Sequence, residues 1–450
     1  METCYKGNVR IKGTSYPFMF SDYRIIISTG ENTIDWADLS DLIDNGVLAL
    51  VDSCGNELTL FAERLELVKF GEYAIHTLGY IRRYRPEEWG TGNPVNSLMF
   101  THPVIDYFFR EDKQIVDRYI DLLNSFKGKD MSNTLSKREE CDIVVDSKQY
   151  TLKFAVISQQ SDKERFPFLM HNCIMANSEN AISNNEILRI VGIIKSFLCF
   201  ISHSKNIDLE PVRINLKKTK IIYFDSNDEK DTWTFDTALE LKPIGEDTIS
   251  PNRVFSYENM KSGLSGIFSE IAENQINFRN LFDSNKDKIS IGNIVDACAS
   301  FEEQFKRKRP KSEKLKLEAA KQKVVRDKMI ANLEEIKNTY SQDELEHFES
   351  LITGFEHVGN TLKEKLEIAL GDFIEIYGER KTASRFKQDY QGMPKRIKRA
   401  RDAIAHGNHI KPIETSVFSD VPLLRAITYM LILKKAGFSD SDIIACIENL

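Results

Sequence analysis

The residues with the clearest capacity for chemistry lie near the end of the chain, in RARDAIAHGNHIK, Arg399 to Lys411. A guanidinium, a carboxylate and an imidazole follow closely here as Arg401, Asp402 and His406. On a helix Asp402 and His406 are four apart, so they share a face within hydrogen-bonding reach. Arg401 and His406 are five apart, roughly 140° around the axis. One copy of the helix therefore aims the two in different directions. Both can act on one phosphate if the helix ends near His406, or if a second copy completes the site in a twofold dimer. The residue types suit phosphodiester cleavage in RNA. Imidazole moves protons near neutral pH, guanidinium holds a phosphate through two parallel bonds, and a carboxylate orients the ring. RNA brings its own nucleophile, the 2′-hydroxyl, so this set calls for no metal and no cofactor.

A plainer reading stands beside that one. Ala400, Ala403, Ile404 and Ala405 favour a helix, a histidine near its C-terminus suits the dipole, and Gly407 is a left-handed stop. A third reading is a non-catalytic helical dimer that binds nucleic acid or a partner. The cations leading into the motif, Lys395, Arg396, Lys398 and Arg399, support cleavage and binding alike, as sequence-independent phosphate contacts. Asp402 and His406 separate the two, since a phosphate-binding surface requires neither. A second basic stretch, KRKRP at Lys306 to Pro310, opens a lysine-rich segment reaching Lys328 and reads as a solvated face.

The elements that must position these groups come from a chain of 450 residues with a net charge of -7, so any phosphate-binding surface is a local patch. Length implies two or three domains. The 7 cysteines are scattered without a CxxC, which points to reduced thiols in a cytoplasmic protein. His171-Asn172-Cys173 is too sparse for a metal site. METCYKGNVRIKG lacks the apolar core of a secretory signal. Ile187 to His203 is broken by Arg189 and Lys195 and falls short of a membrane span, so it reads as an amphipathic core helix.

Up to residue 254 the chain is β-rich. VRIKG, YRIIIST, GVLALVD and NELTLFAERLELV are short alternating runs between turn residues, as in a sandwich or jelly roll. Gly128 to Glu140 reads as a linker, with a sub-boundary there. CDIVVDSKQYTLKFAVI resumes the strands, a helix runs from Asn185 to about His203, and VRINL and KIIYFD read as a strand pair. YIRRYR, Tyr80 to Arg85, mixes aromatics with cations as a single-strand-binding surface does, although ordinary cross-strand pairing explains it as well. From 255 to 450 the spacing turns to threes and fours: MKSGLSGIFSEIAENQI, NIVDACASFEEQF, RDKMIANLEEIKNTY, ELEHFESLITGF, TLKEKLEIALGDFIEIYGE, RIKRARDAIAH and VPLLRAITYMLILKKAG. The expected fold is α+β, a β-rich region followed by a helical bundle.

An arginine, a polar residue, three more residues and then His-Gly, late in an all-α region, resembles the HEPN ribonuclease signature. Here it is Arg401-Asp402-Ala403-Ile404-Ala405-His406-Gly407. The long helix before Gly378 and the following LLRAITYMLILKKAG look like the Apea-like branch of that superfamily, and the β-rich part looks like its anti-phage-associated members. The resemblance implies a HEPN-type bundle, a homodimer with a composite site, metal-independent cleavage leaving a 2′,3′-cyclic phosphate, and antiviral defence. By carry-over Arg401 and His406 are the catalytic pair and Asp402 the polar position. Related proteins carry an acidic residue on an earlier helix, matched here by Glu302 in ACASFEEQF, with Glu303 adjacent. Asn408 stands where some relatives carry a modifiable tyrosine, against regulation by nucleotide transfer. Transfer RNA is the substrate the family implies, and a phage-derived trigger or inhibitor would act through the N-terminal region.

Overall fold

The computed structural model describes residues 4–41, 43, 46–83, 94–109, 135–160, 168–222, 229–274, 276, 289–308, 324–325, 327–336, 361–386, 389–405 and 413–450. The class is α+β: a large antiparallel sheet in the N-terminal half and helices in the C-terminal half. Two compact units divide between Asn274 and Gln275.

Among the described residues, twelve strands make the sheet of the first unit. β1 (Tyr5–Ile11), β2 (Thr14–Ser21), β3 (Arg24–Ser28), β4 (Val47–Val51), β5 (Glu57–Lys69) and β6 (Glu72–Arg83) form its first half. Every second residue points inward, as the two-residue period of a strand dictates. Phe18 and Phe20, Ile25 and Ile27, Leu48 and Leu50, and Leu58 and Leu60 fill one core, joined by Leu39 of helix α1 (Trp36–Asp41). Pairing runs β4–β5–β6–β3–β2–β1, and a bridge from Gly7 to Asp52 brings the two ends together. The Ser53 N–H also donates to the Lys6 carbonyl at 2.7 Å. These strands therefore curl into a barrel, which removes the exposed edges an open sheet would leave. Gly7 is required at the seam, where a Cβ would meet the Val51 carbonyl oxygen at 2.6 Å and the Phe18 ring at 2.8 Å.

The other half continues from β6 through β12 (Glu229–Leu241), β11 (Val212–Ile222), β7 (Ser97–Thr101), β10 (Phe168–Asn177), β9 (Lys148–Gln160) and β8 (Leu135–Val145). VRINL and KII thus lie in one strand, β11, whose partner is β12. Asn215 stands between them with a left-handed φ of 52°, and the pairing with β12 keeps one register on both sides of it, so the two runs are one strand and not a hairpin. Residues 135–140, read above as linker, open β8; 128–134 lie outside the described residues.

Helix α2 (Pro103–Phe108), helix α3 (Asn184–Ser202) and helix α4 (Leu264–Ala272) belong to this unit. The start of α3 is a capping box: the Ser183 hydroxyl accepts from the Glu186 N–H, and the Glu186 carboxylate accepts from the Ser183 N–H. Its end is His203, left-handed at φ 56°. Phe197 of α3 stacks on Phe268 of α4 at 4.4 Å, and Phe108 of α2 meets Phe197 edge-on at 5.7 Å. That aromatic packing moves the boundary from the expected 254/255 to 274/275. Periodicity identified α4 as a helix but carried no information on what it packs against.

The second unit contains α5 (Ile291–Lys308), α6 (Leu362–Tyr377), α7 (Glu379–Phe386), α8 (Met393–Ala405), α9 (Thr415–Lys435) and α10 (Asp440–Glu448), with further helix at residues 327–336. The expected helix ELEHFESLITGF lies outside the described residues. α9 is apolar on all sides and packs against α5, α6, α7, α8 and α10, as a helix at the centre of a bundle does. It is long and apolar enough to cross a membrane, and most of it is buried within the unit.

Candidate functional site

Three helices bring charge to one place. α8 begins with Met393 and Pro394, whose fixed φ suits a first helical turn, and buries Met393, Ile397 and Ala400. This leaves Arg401 and Asp402 half-buried at its far end. α5 buries Ile294, Ala297, Cys298 and Phe301, which sets Glu302 at the border of its buried face. α6 opens on another capping box, Thr361 with Glu364, and places Lys365 in its first turns.

The geometry links these groups in series. Lys365 Nζ donates to Glu302 Oε1 at 2.9 Å, and Glu302 Oε2 lies 3.7 Å from Arg401 Nη2. Arg401 Nη1 donates to Asp402 Oδ1 at 3.3 Å, and Asp402 Oδ2 accepts from Lys398 Nζ at 2.6 Å. Glu302 is thus brought to Arg401 and Asp402. The Lys398 hydrogen bond, assisted by Arg401, holds the Asp402 carboxyl below its usual range, so it is ionised at neutral pH. Three cations, Lys365, Lys398 and Arg401, face two carboxylates, Glu302 and Asp402. The surplus positive charge and the 41% exposure of the Arg401 side chain leave room for an anion. Beneath them, burial and then the Glu302 charge push the Cys298 thiol up to about 12, so it supplies no thiolate nucleophile.

His406, Gly407 and Asn408 lie outside the described residues. Lys395 and Arg399 are exposed on α8. Arg396, expected above to guide RNA, is instead turned into the protein. Its Nε and Nη2 donate to both oxygens of Asp420 on α9, each at 2.8 Å, and Nη2 also donates to the Asp389 carbonyl at 2.7 Å. Asp420 is 1% exposed, so this is a buried clamp between helices. Lys365 was not read from the sequence. Its partner lies 63 positions away, and no local pattern marks such a pairing.

Other sequence motifs resolve into structure. His171 and Asn172 on β10 both bond Asp106 of α2, His171 Nδ1 at 3.1 Å and the Asn172 N–H at 2.7 Å. They pin that helix to the sheet. In YIRRYR, Tyr80 packs edge-on against Phe20 at 5.1 Å and Arg82 lies over the Tyr5 ring at 4.6 Å, while Tyr84 and Arg85 lie outside the described residues. Among the described residues no group of three or more His, Cys, Asp or Glu is arranged to hold a metal. No known family model, curated protein or solved structure matches this chain.

Proposed function

We propose that the chain is a metal-independent endoribonuclease of the HEPN type, cutting RNA by attack of the 2′-hydroxyl at a site completed by a second copy. The observation that carries this is the half-exposed Arg401 guanidinium, set between Glu302 and Asp402 on the helix that leads into His406. Arg401 neutralises the scissile phosphate as negative charge develops on its oxygens. His406 moves the proton: the 2′-oxygen bonds to phosphorus, the 5′-oxygen leaves and takes a proton, and a 2′,3′-cyclic phosphate with a 5′-hydroxyl remains. Asp402 orients the imidazole, and Glu302 steadies Arg401. Exposed Lys395 and Arg399 draw in the RNA backbone. Unpaired loops, such as those of transfer RNA, reach the in-line geometry more readily than a regular helix.

On this reading the protein serves cytoplasmic antiviral defence, and the β-rich unit answers a phage-derived trigger or releases an inhibited state. Arg401→Ala and His406→Ala are each expected to abolish cleavage while size-exclusion chromatography still finds the dimer. Cleavage retained in either variant would remove the assignment. The binding-only reading rests on Lys395 and Arg399, and predicts RNA binding without new ends in the wild type.

A further inference from the structure

We propose that Lys365 is a positioning residue that aims Arg401 at an RNA phosphate through the shared carboxylate of Glu302. The ribonuclease reading enters only in taking the anion to be an RNA phosphate. Glu302 divides its two oxygens between two cations from two other helices: Oε1 meets Lys365 at 2.9 Å and Oε2 faces Arg401 at 3.7 Å. A carboxylate is flat, so fixing one oxygen on Lys365 fixes where the other points. Among the described residues no other hydrogen bond sets the rotation of Glu302, and its side chain is 29% exposed. Without Lys365 it turns toward water or collapses fully onto Arg401, and either outcome misplaces the guanidinium.

The placement of Lys365 supports a role beyond ordinary surface charge. It stands one residue after the Glu364 capping position, near the positive end of the α6 dipole, where a cation is disfavoured. Glu302 on a neighbouring helix offsets that cost. Lys363, two positions earlier, pairs within its own helix with Glu367 and is 45% exposed, as a surface lysine does. Lys365 instead reaches across to α5 with 27% exposure. The longer Arg401 contact also matters. At 3.7 Å the guanidinium is attracted by Glu302 without being captured by a close hydrogen bond, so an incoming phosphate can take its donors.

A double-mutant cycle on the full chain tests this, read as fluorescence anisotropy with a 2′-O-methyl RNA oligonucleotide, which binds but lacks the nucleophile for cleavage. Lys365→Met is expected to weaken binding about fivefold in the wild-type background, and not at all in Arg401→Ala. Lys365→Arg restores binding, because it can still hold Glu302. Glu302→Gln, which keeps the side-chain size, shows the same loss as Lys365→Met and serves if that variant unfolds. Additive losses would mean that Lys365 touches RNA itself and would overturn the proposal. Unchanged binding in Lys365→Met, or no binding by the wild type, would overturn it too. Coupled losses in a protein that never cuts natural RNA would leave Lys365 in this role and remove the nuclease reading instead.

Discussion

Replacing Arg396 by methionine isolates what its guanidinium does. The change removes two charge-assisted hydrogen bonds of 2.8 Å to Asp420, each worth about 1.5–3 kcal/mol. It also strands a carboxylate that is only 1% exposed. Breaking a buried pair from one side costs about 3–5 kcal/mol. Arg396 itself keeps 17% exposure, so water can reach the gap and the lower end applies, about 3 kcal/mol. For a unit the size of residues 275–450 that lowers the melting temperature by roughly 6–12 °C. Circular dichroism in the far ultraviolet reads this directly. Well below the transition, the variant should bind RNA as the wild type does, since the lost group was turned into the protein. A variant that melts like the wild type but loses RNA affinity would refute this reasoning and return Arg396 to the nucleic-acid surface.

Three further outcomes follow from the same geometry. Gly7→Ala forces a methyl against the Val51 carbonyl at the barrel seam, and should destabilise the β-rich unit by about 1–3 kcal/mol in thermal melts. Burial opposes ionisation of Glu186, yet the Lys148 ammonium and the Ser183 hydroxyl and amide outweigh it and bring the carboxyl down to about 2 from 4.5. A depressed acid stabilises the fold above its unfolded pKa and loses that contribution as pH falls. Acid titration should therefore show a loss of roughly 3 kcal/mol between about pH 4.5 and pH 2, absent in Glu186→Gln. Lys395→Ala and Arg399→Ala should leave the melting temperature unchanged while each reduces the salt dependence of RNA binding by about 0.7 in log–log slope; an unchanged slope would take them off the RNA path.

The elements were legible where the signal is local. Alternation at Ile25, Ile27, Leu48 and Leu50 announced strands, and the three-and-four spacing of Leu362, Leu366, Ala369 and Phe373 announced a helix, because each pattern repeats within a few residues. Barrel closure depends on Gly7 meeting Asp52, a register that no local run records. Placement of α4 with the sheet depends on Phe197 and Phe154, far away in sequence. The charge run around Arg399 concealed a division of labour. Lys395 and Arg399 face solvent, while Arg396 borders the buried Met393 and Ile397 and turns inward. One signal did exist: Asp420 interrupts the apolar stretch VFSDVPLLRAITYMLIL, and a buried carboxylate requires a cation.

Cleavage of RNA in the presence of EDTA, with the chemistry of the new ends determined, bears most directly on the proposed activity. Wild-type protein should cut and leave 2′,3′-cyclic phosphate and 5′-hydroxyl ends, and His406→Ala should not cut. Cleavage that survives in His406→Ala, or that yields 5′-phosphate ends, would contradict attack by the 2′-hydroxyl at this site.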